Sequence, residues 1–402
     1  MAASKNDVPA IAGGKPVREE FLPFFRPSID EQDVESVACA LRSGWLTLGP
    51  QTASFEQALK EYLGVGNVVA VGSCSAAMLL AMKGLGIGPG DEVVTSALTF
   101  VSTVHAIIHA GARPVLTDIE MDTFGPDPAE MEKRTTARAK AYLPVHLGGQ
   151  ACKIADVLAL ARSRGLAVVE DAAHGFGASS GGRKIGAFGE ATAFSFYATK
   201  NLTCGEGGCV CTNDDALADR IRRLSCHGMS VDSWARYTER GSWYYEVNEA
   251  GYKFNLSDIL SSLGLSQLRK IDRLLERRRR VAERFVECLG NSPYLEIPRI
   301  APGNSHTWHL FVLLLNLDRL TIDRDQFIKA LAAERIGCSV HFIPVYKHSF
   351  FQPYREPRIE YPRCEEYFSR CVSLPIFPDM GADDVDDVVN AVDRVATYYA
   401  KP

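Results

Sequence analysis

Between about residue 45 and residue 270, short apolar runs alternate with stretches whose apolar residues recur at helical spacing. The runs Val68–Val71, Glu92–Thr95, Pro114–Asp118, Lys140–Val145, Leu166–Glu170, Thr192–Phe196 and Gly208–Thr212 predict strands. Helices are predicted from about Ser75 to Leu85, over Val101–Ala110 and over Ile154–Arg164. Alternation of this kind predicts an α/β fold with a mostly parallel sheet and helices on both faces. Ligands of such sheets sit beyond the carboxyl ends of the strands, so polar residues just after apolar runs carry the most weight.

After about residue 256 the pattern changes. One long helix is predicted from Ser257 to Leu289, with apolar positions at Leu260, Leu263, Leu268, Ile271 and Leu275. A strand over His309–Leu317, a helix over Asp323–Ala333, a strand over Ser339–Ile343 and a helix over Asp383–Tyr398 follow. The predicted organisation has three parts. Residues 1–40, with a helix near Asp30–Leu41, form an N-terminal segment packing on the small domain. Residues 41–270 form the large domain, and residues 271–402 form a smaller α+β domain.

Composition narrows the function. With 402 residues, 46% of them hydrophobic, the chain can bury more than one core. A net charge of -5 supplies no field for holding nucleic acid. No run of about 20 apolar residues suggests a membrane span, and no signal-peptide pattern opens the chain. Eleven scattered cysteines suggest reduced thiols and a cytoplasmic protein. Cys204, Cys209 and Cys211 fit no zinc spacing; Cys209 and Cys211 would share one face of a strand, so no metal is expected. The basic run Arg277–Arg280 is flanked by Glu276, Glu283 and Glu287 and reads as an ion-paired helix face.

The candidate chemistry is a carboxylate, a serine and a lysine. Asp171 ends one apolar run, while Ser195 and Lys200 lie at and beyond the end of another. A carboxylate and an ammonium brought to one sheet edge suit pyridoxal 5'-phosphate (PLP), which needs an amine for its imine and an anion beside its pyridine nitrogen. Taken singly, Asp171 could be a helix cap and Lys200 a surface lysine. Lys184 is a rival amine, placed in a turn with Gly181-Gly182 that reads as a hairpin. Gly72-Ser73-Cys74-Ser75-Ala76-Ala77 joins a strand to a helix and could hold a phosphate, or be an ordinary cap.

Three segments, Asp171-Ala172-Ala173-His174, Ser195 through Lys200 to Leu202, and Gly205-Glu206-Gly207-Gly208, resemble the DegT/DnrJ/EryC1/StrS family of sugar aminotransferases. The likeness runs from near Ser43 to Phe377. Gly251–Asp258 and His306–Phe311 are most similar to the branch that aminates UDP-4-keto-pentose. The resemblance implies a fold-type-I PLP enzyme with a seven-stranded-type sheet and Lys200 carrying the cofactor as a Schiff base. It implies Asp171 at the pyridine nitrogen, His174 near the phenolic oxygen and Phe100 over the ring, although Phe100 could equally be a core aromatic. Ser75, the Ala76 amide and Ser195 would hold the phosphate, and Asn255 would reach the neighbouring subunit's phosphate in a homodimer. Glutamate would donate the amino group and a nucleotide-linked keto sugar would accept it, at C4, by a ping-pong scheme. A keto-inositol or aminodehydroquinate-type acceptor, or a non-catalytic PLP-binding regulator, are the alternatives. His309 and His341 fall near the substrate end, or are packed core histidines. The family's phosphate turn often reads Gly-Thr-Ala-Ala, where this chain has Cys74-Ser75-Ala76-Ala77. The loops Trp234–Tyr245 and Tyr346–Tyr354 are candidates for substrate or subunit contacts.

Overall fold

A computed structural model describes residues 8–230 and 244–401. Its centre is a seven-stranded sheet built from β1 (Asn67–Val71), β2 (Glu92–Ser96), β3 (Arg113–Thr117), β4 (Ala139–Leu143), β5 (Ala167–Asp171), β8 (Ala191–Ser195) and β9 (Gly208–Thr212). Between β5 and β8 a two-stranded hairpin, β6 (Ser179–Ser180) and β7 (Arg183–Lys184), turns through Gly181 and Gly182, both at positive φ. The order across the large sheet is β1-β9-β8-β5-β4-β2-β3. Its neighbours pair in parallel, except that β9 runs antiparallel to both β1 and β8. Helices cover both faces, so β2, β8 and β9 are buried along their whole length. This is why they read as continuous apolar runs rather than alternating ones.

In chain order the helices are α1 (Glu31–Arg42), α2 (Pro50–Leu63), α3 (Cys74–Gly84), α4 (Val101–Ala110), α5 (Pro128–Arg134), α6 (Ile154–Arg164) and α7 (Asp215–Ser225). Helix α3 packs against β5, β8 and β9 on one side and against α4 and α7 on the other. That sandwiched position accounts for its unbroken buried stretch from Ala76 to Met82. The helix is capped by Ser73, whose hydroxyl accepts from the Ala76 amide at 3.1 Å, so it begins slightly earlier than its apolar pattern alone suggests.

The long helix predicted from Ser257 to Leu289 is two helices, α8 (Asp258–Arg269) and α9 (Ile271–Leu289). They meet at Lys270, whose backbone leaves helical geometry at φ -116° and ψ 10°. Apolar periodicity continues through this break because both helices bury the same side against neighbouring cores, and only the tertiary contact of Lys270 marks it. Its ammonium lies 2.5 Å from Asp33 and 2.8 Å from Asp30, at the start of α1. Asp33 is fully buried and also accepts from Ser266 and Gln267.

Beyond α9, a second core forms around Phe285, Phe311, Phe327, Val388 and Val392. It contains β10 (Leu295–Glu296), β11 (Phe311–Leu315) and β12 (Cys371–Leu374) in one antiparallel sheet, with α10 (Arg324–Ala333), α11 (Pro362–Arg370) and α12 (Ala382–Tyr398). The strand predicted over His309–Leu317 shortens to β11 because Leu310 turns its amide to Gly148 and Asn316 to Tyr294. The strand predicted over Ser339–Ile343 is a single bridge from Ser339 to Ser373. His341 and Phe342 instead line a cavity between the two cores. The N-terminal segment hydrogen-bonds to the buried Glu334 through the amides of Ala10 and Val17, each at 2.8 Å. No helix of the described residues is long and apolar enough to cross a membrane.

The Lys270–Asp33 contact predicts a measurable loss. Lys270→Met leaves Asp33 with its Ser266 and Gln267 donors but without its cation, and should cost about 3 kcal/mol, the low end for breaking a buried pair. The check is a chemical-denaturation midpoint compared with that of the parent protein.

Candidate active site

Strands β5 and β8 are adjacent and parallel, so their carboxyl ends deliver residues 171 and 195 to the same edge. Asp171 is 4% exposed. One carboxylate oxygen accepts from the Thr103 hydroxyl at 2.6 Å and the other from the Ala173 amide at 3.0 Å. The second bond is the local cap contact that Asp171 could have made anywhere. The first comes from α4, 68 positions away, and is decided by tertiary structure. Thr103 in turn shares a 2.6 Å hydrogen bond with Thr99. Its position inside a helix gave no sequence cue, since only its distance to Asp171 marks it.

Lys200 enters from the loop after β8 and lines the same cavity, whose volume is about 560 Å3. Burial pushes its amine down to about 8, against 10.5 in water, while the negative charge of Asp171 partly opposes that shift. An ammonium without full hydration favours its neutral form, as a nucleophilic or proton-accepting amine requires.

Three imidazoles gather around this amine. His309 places Nε2 at 3.4 Å from Lys200 Nζ. The rings of His174 and His309 lie 4.4 Å apart. His341 bonds Ser373 through Nδ1 at 2.9 Å and stacks on Phe24 at 5.3 Å. Burial comes first among the causes that lower their proton affinity, and the charge of Lys200 adds to it; His341 falls to about 4. All three are therefore neutral near pH 7. The Gly148 amide donates to His174 Nδ1 at 3.3 Å, which places the ring proton on Nε2.

The cavity is also lined by Ser73, Ser75, Ser195, Glu206 and Gly207. Ser75 is exposed and Ser195 buried. The Ala76 amide, expected to meet a phosphate, donates to Ser73. Ser73, one of the hydroxyls of the segment expected to hold a phosphate or to cap the helix, is thus the N-cap, as its place directly after a strand signals. Gly208 backs the turn closely: a Cβ there would lie 2.6 Å from the Cys74 nitrogen, the Ser73 carbonyl carbon and the Phe194 oxygen. The turn can settle against β9 only because residue 208 has no side chain.

The remaining candidates separate. Phe100 caps α4, is 55% exposed and packs on Phe342 at 5.5 Å, so it is a cavity-rim aromatic and not a core one. Asn255 does not line the cavity; it borders a neighbouring hollow with Ser73, Ser75, His105, His109 and Lys253. Lys184 donates to the Tyr62 carbonyl at 2.8 Å and sits over the Tyr62 ring, away from the cavity. The Cys209 and Cys211 sulfurs are 3.9 Å apart on one buried strand face. Of the loop Trp234–Tyr245, residues 234–243 lie outside the described residues.

These groups fit PLP: a buried amine, a carboxylate oriented by a buried threonine, and a hydroxyl-lined turn whose tight approach a glycine permits. Comparison with known proteins agrees. The profile of the DegT/DnrJ/EryC1/StrS aminotransferase family matches residues 27–393. The chain is 47% identical to the spore coat polysaccharide biosynthesis protein SpsC of Bacillus subtilis, over 93% of this chain and 97% of that protein. A Streptococcus pneumoniae protein described as a sugar aminotransferase, solved in its PMP and PLP forms, superposes with a TM-score of 0.88 in each. Identity to its PMP form is 29%, covering 94% of this chain and 98% of that one. PseC of Helicobacter pylori, an aminotransferase involved in the biosynthesis of pseudoaminic acid, superposes with a TM-score of 0.87 at 26% identity, covering 95% of this chain and 100% of that one.

Two outcomes test the geometry. The rate at which the cofactor-free protein captures PLP should rise with pH and level off above about 8, because only the neutral Lys200 amine attacks an aldehyde; stopped-flow absorbance across pH measures it. Gly208→Ala should weaken PLP binding roughly tenfold to a hundredfold, the equivalent of overpacking a tight site, as read by a binding titration. The likeness extends over nearly the whole length of each relative, and the cavity supplies the groups that a PLP enzyme needs: the chain belongs to the DegT/DnrJ/EryC1/StrS family and is a PLP-dependent sugar aminotransferase.

Proposed function

We propose that the chain moves an amino group from glutamate to a keto carbon, C4, of a nucleotide-linked sugar, in two half-reactions at one site. The observation that carries this reading is the shared cavity of Lys200 and Asp171, where a buried amine faces an oriented carboxylate. When bound, PLP supplies an electron sink and stores the amino group between the half-reactions.

The chain's own residues then have separate tasks. Asp171, held by Thr103 and the Ala173 amide, would pair with the cofactor's ring nitrogen and keep its proton in place. Lys200 would carry the cofactor and, once displaced by the donor, take a proton from the donor's α-carbon and return one on the acceptor side. A depressed amine suits this, since a general base works best with a pKa near the working pH. His174, neutral with its proton on Nε2, would donate toward the cofactor's ring oxygen. Ser73, Ser75 and Ser195 would hold the phosphate. Phe24, Phe100 and Phe342 line the cavity and would shield the bound cofactor from water. Asn255 lies beside the phosphate turn but outside this chain's cavity, which supports a role across a homodimer interface. One relative takes part in spore coat polysaccharide biosynthesis and one structural neighbour in pseudoaminic acid biosynthesis, which supports a sugar acceptor.

The test is to load the protein with PLP, add glutamate and a panel of nucleotide-linked keto sugars, and read 2-oxoglutarate release and sugar mass. A product one amino-for-oxo exchange away from its substrate is expected. Lys200→Ala should slow turnover roughly 10²–10⁴-fold, the range for a lost proton-transfer group. No release of 2-oxoglutarate, or full turnover by the alanine variant, would sink the scheme.

A further inference from the structure

Buried polar side-chain atoms without a hydrogen-bond partner are rare in folded proteins, because each costs free energy if left bare. Among the described residues three remain: Asn201 Oδ1, Arg278 Nε and His309 Nδ1. The first two belong to residues that line one narrow hollow of about 10 Å3. That is close to the room one water molecule needs. Lys200 lines this hollow as well as the large cavity, so it forms part of the wall between them.

The surroundings define what the hollow can hold. Arg278 is 3% exposed, and its guanidinium donates to the carbonyls of Ile376 at 2.8 Å and Trp308 at 3.5 Å. Asn201 is 5% exposed, and its amide nitrogen reaches the Thr307 carbonyl at 3.5 Å. One open donor and one open acceptor therefore belong to residues that border the same small space. A halide would suit the guanidinium but oppose the amide oxygen. A water molecule accepts from one and donates to the other.

We infer that a single ordered water bridges Arg278 Nε to Asn201 Oδ1 and fixes the Lys200 segment against the opposite wall of the cavity. The consequence follows from connectivity. Asn201 is the residue next to Lys200, and Arg278 holds the carbonyls of Trp308 and Ile376. Trp308 adjoins His309, and Ile376 itself lines the cavity. The bridge thus joins the loop that carries the amine to the wall that carries His309. Asn201 and Arg278 are positioning residues for Lys200, independent of which sugar is the acceptor.

The experiment is a crystal structure of the PLP-loaded protein, grown with chloride and with bromide. One solvent peak about 2.7–3.2 Å from both atoms, without anomalous signal in bromide, is expected. A bromide signal, a peak touching only one of the atoms, or no peak overturns the bridge, whatever any variant does. Asn201→Leu removes the acceptor at similar size. It should lose the peak and move the midpoint of the cofactor's absorbance titration by about half a pH unit or more, because the amine's surroundings change. Asn201→Asp should restore the peak. An Asn201→Leu protein with the parent's midpoint and Lys200 position would overturn the positioning role.

Discussion

A buried amine needs a reason to stay buried. Lys200 loses most of its hydration in the cavity, which depresses its amine to about 8, and the carboxylate of Asp171 at the end of β5 offsets only part of that loss. The rest of the architecture serves that juxtaposition. The sheet order puts β5 beside β8, α4 brings Thr103 to orient the carboxylate, and β9 returns antiparallel with Gly208 against the turn that opens α3. Moving α4 would strip the Thr103 donor from the buried carboxylate of Asp171, and a lost partner is most expensive in a site of low polarity.

The three histidines show how the same field shapes its neighbours. A cation and a low-polarity cavity both work against a second positive charge, so His174, His309 and His341 are held neutral. Neutral imidazoles can donate and accept hydrogen bonds without competing with Lys200 for protons. Of Lys200 and these three histidines, only the amine is left to titrate near neutral pH, which suits a reaction in which a single group must both release and take up a proton.

Much of the grouping of residues around the cavity was legible in the chain itself. Asp171 and Ser195 follow runs that could only be buried strands, and Lys200 lies one short loop beyond; the rule that ligands sit at the carboxyl ends of parallel strands then brings them together. Thr103 was not legible in the same way. Thr103 looks like any residue of an amphipathic helix, and its role exists only because α4 crosses the end of β5. The break at Lys270 was hidden for the same reason: periodicity reports which face is buried, not against what, and two helices that bury the same face read as one.

By itself, then, the sequence determined the alternation of strands and helices, the parallel sheet and the residues at its strand ends, because burial patterns and strand-end polarity are local properties. Tertiary structure alone decided which hydroxyl orients Asp171, that Asn255 lies outside the cavity of its own chain, and that His341 and Phe342 leave the small sheet to line the cavity. Those features depend on contacts between residues tens to hundreds of positions apart, and no short window of sequence carries that information.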